Sequence, residues 1–190
     1  MPNGSTGAQG PALTVESLGR APELPAEALD APAREVFDAF RSFRDTIPGP
    51  FRAWLRHGEF AARMKSVSDK VIRDGLLTAR EREIAILMTA RHLDAAFIRA
   101  AHEKIGARAG LSEAVMTAIH EGRTPDLDTD REQALHAAAA AMLTARPAPQ
   151  DVYDEALATL GIEALCELSG LMGFYSSCAF ILTFHDAQAG

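Results

Sequence analysis

Six histidines are the side chains best suited to transfer protons near neutral pH: His57, His92, His102, His120, His136 and His185. His102 differs from the others because it follows Phe97 and Ile98 within a predicted helix, beside the apolar face of that helix. Its imidazole is therefore expected to be partly desolvated. A hydrogen-bonded core histidine and a catalytic histidine both fit this position.

Glu83 is a carboxylate with the same ambiguity as His102. It lies in the first turns of a helix that opens with Thr78-Ala79-Arg80-Glu81, a capping-box pattern. A carboxylate in this position can simply favour the helix N-terminus, or it can hold an imidazole. Neither residue is decisive without the other.

Two cysteines, Cys166 and Cys178, lie twelve positions apart in an apolar segment without a Cys-x-x-Cys motif. We expect both to be reduced and buried. A redox function that uses them is a third alternative, and it requires accessible thiols. No metal site is predicted, because the only candidate ligand beside His102 at short spacing is the adjacent Glu103, which should point elsewhere.

The composition is that of an ordinary globular protein, with 190 residues, 47% of them hydrophobic and 24% charged. A chain of this length buries a substantial core without a metal or cofactor, and none is predicted. Nineteen Lys and Arg against twenty-six Asp and Glu give a formal charge of −7, which argues against a nucleic-acid partner. The N-terminus lacks the features of a secretory signal, so we expect a cytoplasmic location.

The elements that position these residues are predicted to be helices nearly throughout, about eight or nine in an all-α fold, with no convincing strand pattern. Residues 1–25 are expected to be a flexible tail or arm, and residues 26–190 a single domain. A second capping box, Thr129-Asp130-Arg131-Glu132, opens a later helix, and Asp94 is expected to cap another. The uncharged stretch Leu168–Phe184 is interpreted as a buried helix rather than a membrane span.

Several short motifs, in this order along the chain, resemble the carboxymuconolactone decarboxylase-like family. They are Gly49-Pro50-Phe51, Trp54-Leu55 and His57, then Arg80-Glu81-Arg82-Glu83-Ile84-Ala85-Ile86-Leu87, His102, Ala109-Gly110-Leu111-Ser112 and Gly173-Phe174-Tyr175. The resemblance implies the all-helical alkylhydroperoxidase D-like fold. It also implies a homo-oligomer, most often a trimer or hexamer, although a dimer is possible.

The resemblance also separates two kinds of chemistry. In the peroxidase branch, a Cys-x-x-Cys precedes a histidine that matches His102, and a glutamate on the preceding helix, which matches Glu83, supplies protons. The positions that match the two cysteines hold Ala95 and Ile98 here. Neither side chain can attack a peroxide, so peroxidase and disulfide-reductase activities are rejected. Many cysteine-free members carry an aromatic residue, a glutamate and a tryptophan before the histidine. Phe97 keeps the aromatic character, whereas Ile98 and Arg99 replace the other two, and Thr183 stands where an asparagine is expected.

The leading hypothesis is an enzyme acting on a small carboxylated or cyclic carbonyl compound, such as a lactone or keto acid, by acid–base chemistry of His102 and Glu83. Tyr175 would donate a hydrogen bond to a developing oxygen anion, and Arg99 would pair with a substrate carboxylate. The alternative is a non-catalytic small-molecule-binding or structural member of the same fold.

Three further side chains are expected to line or support the substrate pocket: Phe97, Trp54 and His57. Trp54 could instead pack at a subunit interface, where tryptophan is enriched.

Overall fold

The computed structural model describes residues 13–188, which fall into two compact units, Met1–Ala62 and Arg63–Gly190. The sequence predicts one domain from residue 26 onward. Residues 1–12 of the predicted tail lie outside the described part of the chain.

The first unit begins with a small antiparallel hairpin of β1 (Thr14–Val15) and β2 (Leu24–Pro25), which falls in the predicted tail. Val15 is completely buried, and the backbone N–H of Ile47 donates to Glu16 Oε2 at 3.3 Å. The segment 13–25 is thus folded where the sequence predicts a flexible arm. The expectation of no strands is wrong for this hairpin, because strands of two residues are too short to show an alternating pattern.

Three helices follow in the chain, α1 (Ala31–Arg41), α2 (Gly49–Trp54) and α3 (Gly58–Ile72), the last of which extends past the boundary between the units. Asp30 caps α1 by accepting a hydrogen bond from the N–H of Ala33 at 2.9 Å. Gly58 packs closely against this cap, because a Cβ at position 58 would overlap Asp30 Oδ1 and the Ala33 nitrogen.

The second unit contains six further helices: α4 (Ala79–His92), α5 (Ala96–Arg108), α6 (Glu113–Glu121), α7 (Asp130–Leu143), α8 (Gln150–Leu160) and α9 (Ile162–Phe184). With α1–α3 this makes nine helices in residues 13–188, which confirms the all-α prediction. The largest completely or almost completely buried apolar side chains of this unit lie on α4, α7 and α9: Ile84, Ile86, Leu135, Leu168 and Leu171.

The predicted cap at Asp94 is wrong. Asp94 has a φ of 50°, in the left-handed region, so it forms the turn between α4 and α5, while Ala95 occupies the N-cap position without a side-chain hydrogen bond. The connection between α4 and α5 is so short that Asp94 must itself reverse the direction of the chain. An N-cap aspartate has an extended backbone, which cannot make this reversal.

The N-termini of α4 and α7 are joined by crossed ion pairs. Arg80 Nε lies 2.6 Å from Glu132 Oε1, and Arg131 Nε lies 2.7 Å from Glu81 Oε1. The capping box of α4 is complete. That of α7 is half formed: Thr129 accepts from the N–H of Glu132, but the Glu132 carboxylate bonds to Arg80 and to the Asp128 N–H instead of the N-cap backbone.

Helix α9 packs against α4, α5, α7 and α8 within the second unit. Among the described residues, it is the one helix long and apolar enough to cross a membrane. Half of its most apolar 18-residue window is buried in the structure. Burial of this kind also occurs in the core helix of a globular unit.

Candidate functional site

His102 on α5 and Glu83 on α4 meet in the second unit. The Nδ1 atom of His102 lies 2.7 Å from Oε2 of Glu83. An ionised carboxylate can only accept a hydrogen bond, so Nδ1 is the donor, and the tautomer that this contact favours carries its lone pair on Nε2. The two side chains are 13% and 8% exposed, so the pair is shielded from bulk water.

A glycine one turn beyond His102 allows α5 to pack closely against Leu111 and against Met116 on α6. A Cβ at Gly106 would lie 3.1 Å from Leu111 Cδ1, 3.3 Å from Met116 Sδ and 3.7 Å from the Cβ of Glu83. A side chain at position 106 would therefore crowd Leu111 and Met116 and disturb the packing of α5 one turn beyond His102. The sequence analysis missed Gly106, although an isolated glycine inside a helical pattern is a signal of such close packing.

The other ring nitrogen of His102 is available to a ligand. Within residues 13–188, Nε2 makes no hydrogen bond, whereas no fully buried side-chain nitrogen or oxygen in that range lacks a partner. Nε2 must therefore reach the accessible surface. A histidine held at one nitrogen and open at the other has the arrangement of a general base.

Tyr175 on α9 completes the cluster. Its ring lies edge-on to the His102 imidazole, with centroids 4.8 Å apart and an interplanar angle of 87°. Burial, reinforced by Cys178 and by the negative charge of Glu83, raises the pKa of Tyr175 far above its usual value. The phenol therefore stays protonated across the physiological range and can donate a hydrogen bond, and no hydrogen bond joins its hydroxyl to another described residue.

The other two predicted site residues on α5 are Arg99 and Phe97, and in the described chain no ion pair or ring contact joins either of them to the Glu83–His102 pair. Arg99 Nη1 lies 3.2 Å from Glu103 Oε1, and Arg99 lines a surface pocket at the α4–α5 turn that also contains Arg91 and His120. Phe97 is half-buried, and no ring contact joins it to a described aromatic residue.

Trp54 and His57 lie in the first unit. Trp54 is buried in edge-to-face contacts with Phe51 and Phe60, at centroid distances of 5.1 and 5.9 Å. His57 is exposed, and its ring lies 6.1 Å from that of Phe60. Their assignment to the substrate pocket stays a prediction.

The two cysteines do not form a redox pair. Cys178 is buried, and burial raises the pKa of its thiol well above the usual range. Cys166 is exposed, so the prediction of two buried cysteines is wrong for this residue. Twelve residues along one helix correspond to about 18 Å, too far for a disulfide. The two positions also face different sides of α9.

The remaining histidines do not share the environment of His102. His92 and His120 are exposed, and burial of the half-buried His136 lowers its pKa, so this ring is neutral at pH 7. No group of three or more His, Cys, Asp or Glu side chains that could hold a metal ion occurs among residues 13–188.

Comparison with known proteins identifies the fold. No protein-family model and no curated protein sequence matches the chain. A crystal structure from Agrobacterium tumefaciens does match; it is described as a protein of unknown function and related to the antioxidant defence protein AhpD. The two chains are 21% identical, with a TM-score of 0.64 over 73% of this chain and 95% of the other. The chain therefore has the all-helical alkylhydroperoxidase D-like fold.

Proposed function

We propose that the protein is an enzyme that transfers protons on a small carboxylated or cyclic carbonyl compound, such as a lactone or a keto acid, without a cofactor. The observation that carries this proposal is the 2.7 Å contact between His102 Nδ1 and Glu83 Oε2, which leaves Nε2 open. Tyr175 beside the imidazole supplies a phenol that stays protonated.

In the proposed reaction, Nε2 of His102 removes a proton from the carbon next to a substrate carbonyl. The electron pair moves to the carbonyl oxygen, where the Tyr175 hydroxyl donates a hydrogen bond to the enolate. Glu83 stabilises the imidazolium that forms. In a substrate with a carbon–carbon double bond beside the carbon that loses the proton, the enolate is conjugated with that bond, and return of the proton to the far end of the double bond completes an isomerisation.

The same groups support a decarboxylation. When the bond to a carboxylate group breaks, carbon dioxide leaves and the electron pair of that bond remains on the substrate as an enolate. His102, protonated at both nitrogens at this stage, delivers a proton from Nε2 to the carbon that lost the carboxylate. Solvent then returns to Nε2 of His102 the proton that it gave to the substrate.

Recognition of a substrate carboxylate is proposed for Arg99. Its ion pair with Glu103 is partly exposed, with both side chains 37% accessible, and such pairs are worth about 0–1 kcal/mol. A substrate anion can therefore compete for the guanidinium. Phe97 is proposed to contribute the pocket wall.

We also propose a homo-oligomer, with a trimer or hexamer as the first expectation. Helix α9 exposes two large side chains one turn apart, Phe180 at 64% and Phe184 at 75%. Exposed aromatic side chains in such a pair favour a protein interface.

The test is hydrogen exchange catalysed by the protein. Small lactones, keto acids and aromatic acids are first screened for an increase in melting temperature of the wild type. Compounds that stabilise it are then incubated with the protein in D2O, and deuterium incorporation next to the carbonyl is followed by NMR. His102→Gln should reduce exchange or turnover by about 10²–10⁴-fold, and Glu83→Gln should also reduce it.

His185→Gln is the matched control, because it changes a histidine just beyond the end of α9 that lies outside the pocket of Arg99, and it should leave the rate unaltered. One observation favours a second candidate, a non-catalytic binding protein: Ile98, where many cysteine-free relatives carry an acid, is 3% exposed and cannot help in proton transfer. Compounds that stabilise the wild type but not His102→Gln, without any exchange or turnover, would support that second candidate and contradict the enzyme.

A further inference from the structure

A groove of about 300 Å³ lies between α7, α8 and α9. Its lining includes neither Glu83 nor His102 nor Tyr175, so it is separate from the site described above. Four alanines contribute to its lining, where larger side chains would take up part of the space: Ala138, Ala141, Ala148 and Ala156. Its volume is at the lower end of the range of small-molecule sites, about 300–1,000 Å³.

The lining is mostly apolar and contains a single charged residue. Val152 and Leu165 face the groove, and Met142 and Ile162 at its edge are 37% and 57% exposed. In a chain with a formal charge of −7, the lining contains no Asp or Glu. The charged member is Arg146, in the loop between α7 and α8.

The position of Arg146 is set by a strained turn. Ala145 has a φ of 52°, a left-handed conformation that L-alanine adopts at a cost of about 1 kcal/mol or more. The guanidinium of Arg146 forms no ion pair with any residue between 13 and 188. The strained Ala145 thus directly precedes Arg146. This arginine has no ion-pair partner among residues 13–188 and borders an apolar groove.

We infer that this groove binds a small amphipathic carboxylate, with the anion on Arg146 and a medium-length alkyl chain along the alanines of the lining. Charge complementarity identifies the head group, because an arginine guanidinium pairs with a carboxylate in a bidentate manner. The apolar walls identify the tail. Tyr153, which is 46% exposed at the same groove, provides an additional hydroxyl and an apolar ring face.

The protein carries its own reporter of binding. Cys166 lines the groove and is exposed, whereas Cys178 is buried and its thiol is held protonated. Alkylation of the native full-length chain by N-ethylmaleimide should therefore modify Cys166 alone. A ligand in the groove should slow this reaction.

The experiment measures the alkylation rate of Cys166 by mass spectrometry, at increasing concentrations of sodium octanoate. Saturating octanoate should slow alkylation of the wild type about tenfold, and Arg146→Gln should weaken the apparent affinity about tenfold, the loss expected for one charged hydrogen-bonded contact. Octan-1-ol should bind the two proteins equally, because it lacks the charge. Arg108→Gln, a change of an exposed arginine on α5, should behave as the wild type.

A second variant tests the apolar part of the site. Ala141→Leu should fill the groove and abolish protection by both compounds, with the circular dichroism spectrum unchanged. The inference is overturned if octanoate leaves the alkylation rate unchanged, or if Arg146→Gln responds to octanoate as the wild type does. A rate that falls with rising protein concentration and ignores octanoate also overturns it, since the groove would then be covered by a second copy of the chain.

Discussion

The phenol of Tyr175 combines burial with an open hydroxyl. Only 8% of the residue is exposed, yet its oxygen has no hydrogen-bond partner in the described chain and lies beside the imidazole of His102. An enclosed phenol of this kind is a good donor to an oxygen anion and a poor source of phenolate. Its protonation state can be measured directly because the protein has only two tyrosines.

We predict that Tyr175 resists ionisation in the native protein. The variant Tyr153→Phe leaves Tyr175 as the only tyrosine, so the tyrosinate absorbance near 295 nm reports on this residue alone. Because burial raises its pKa, the absorbance should rise only well above pH 10, the usual midpoint for tyrosine, or only when the protein unfolds. A titration midpoint at or below pH 10 with native circular dichroism would contradict the prediction.

Glu83 and His102 could each be singled out from the sequence, one by its place in the first turns of α4 and the other by its place beside the apolar face of α5. Their pairing followed from the family resemblance and not from the spacing. The burial of Cys166 could not be predicted correctly. Composition marks α9 as apolar, but the direction of each face depends on which helices surround it. Cys166 and Cys178 lie on the same apolar helix, α9, and differ in the side of that helix on which they lie.

At the scale of helices, the crossed pairs between α4 and α7 combine local capping with tertiary structure. Each helix begins with Thr-x-Arg-Glu, and in both cases the arginine reaches across to the glutamate of the other helix. Glu81 and Glu132 are buried at 2% and 5% exposure. A buried carboxylate in this setting requires its cation, so neither end is stable without the other.

We predict an acid-dependent loss of stability from Glu132. The hydrogen bond from Arg80 lowers the pKa of this carboxyl despite the opposing effect of burial. A folded-state pKa below the unfolded value of about 4.3 adds stability that is present above pH 4.3 and is lost as the pH falls through the folded value. Glu132→Gln should cost about 1–3 kcal/mol of unfolding free energy at pH 7.

Urea denaturation between pH 3 and 7 checks this prediction. The wild type should lose more stability than Glu132→Gln toward pH 3, so that the two curves converge. Glu113→Gln, at an exposed position in the first turn of α6, is the control. Its free energy of unfolding should depend on pH as that of the wild type does. Parallel curves for the wild type and Glu132→Gln would contradict the assigned role of the pair.

Two glycines are expected to respond oppositely to alanine. Gly58→Ala should destabilise the protein by about 1–3 kcal/mol, because the added methyl group displaces the Asp30 cap of α1. At Gly173, in the middle of α9, a Cβ meets no atom within 4 Å. Gly173→Ala should therefore stabilise the isolated chain by about 0.5–1 kcal/mol through helix propensity. Thermal unfolding of both variants measures the difference, and equal effects would refute it.

Most helices could be predicted because capping residues and glycines mark their ends. Ser112 caps α6, and Gly122, with a φ of 73°, ends it; serine and glycine are residue types that favour these two positions. The turn at Asp94 and the β1–β2 hairpin could not be predicted, because both are set by contacts rather than by local preference. The partly formed capping box of α7 has the same origin, since Arg80 from another helix takes the Glu132 carboxylate.

At the scale of the whole molecule, α9 is at once the most apolar helix and the one that carries Tyr175 and the exposed pair Phe180 and Phe184. Its buried face packs in the second unit, so only the exposed face is available for a partner. The uncharged stretch that could suggest a membrane span is thus divided between a core face and a surface face.

We predict that changing this surface reduces the oligomer. The double variant Phe180→Glu, Phe184→Glu should sediment as a smaller species than the wild type in analytical ultracentrifugation, because a charge at each position cannot be buried without a partner. Ile105→Glu, a comparable change at a 42% exposed residue of α5, is the control and should keep the wild-type mass. A monomeric wild type, or an unchanged mass for the double variant, would contradict the proposed interface.

The crossed arginines of α4 and α7 also bear on how this sequence can diverge. Arg80 is hydrogen-bonded to Glu132, and Arg131 to Glu81. A substitution at one of these positions therefore removes the partner of a residue about fifty positions away in the sequence and not of a residue in the same helical turn. Drift at these four positions should therefore proceed by coupled replacements. In an alignment of relatives, positions 80 and 132 should covary, as should 81 and 131, even where the surrounding helices have lost detectable similarity.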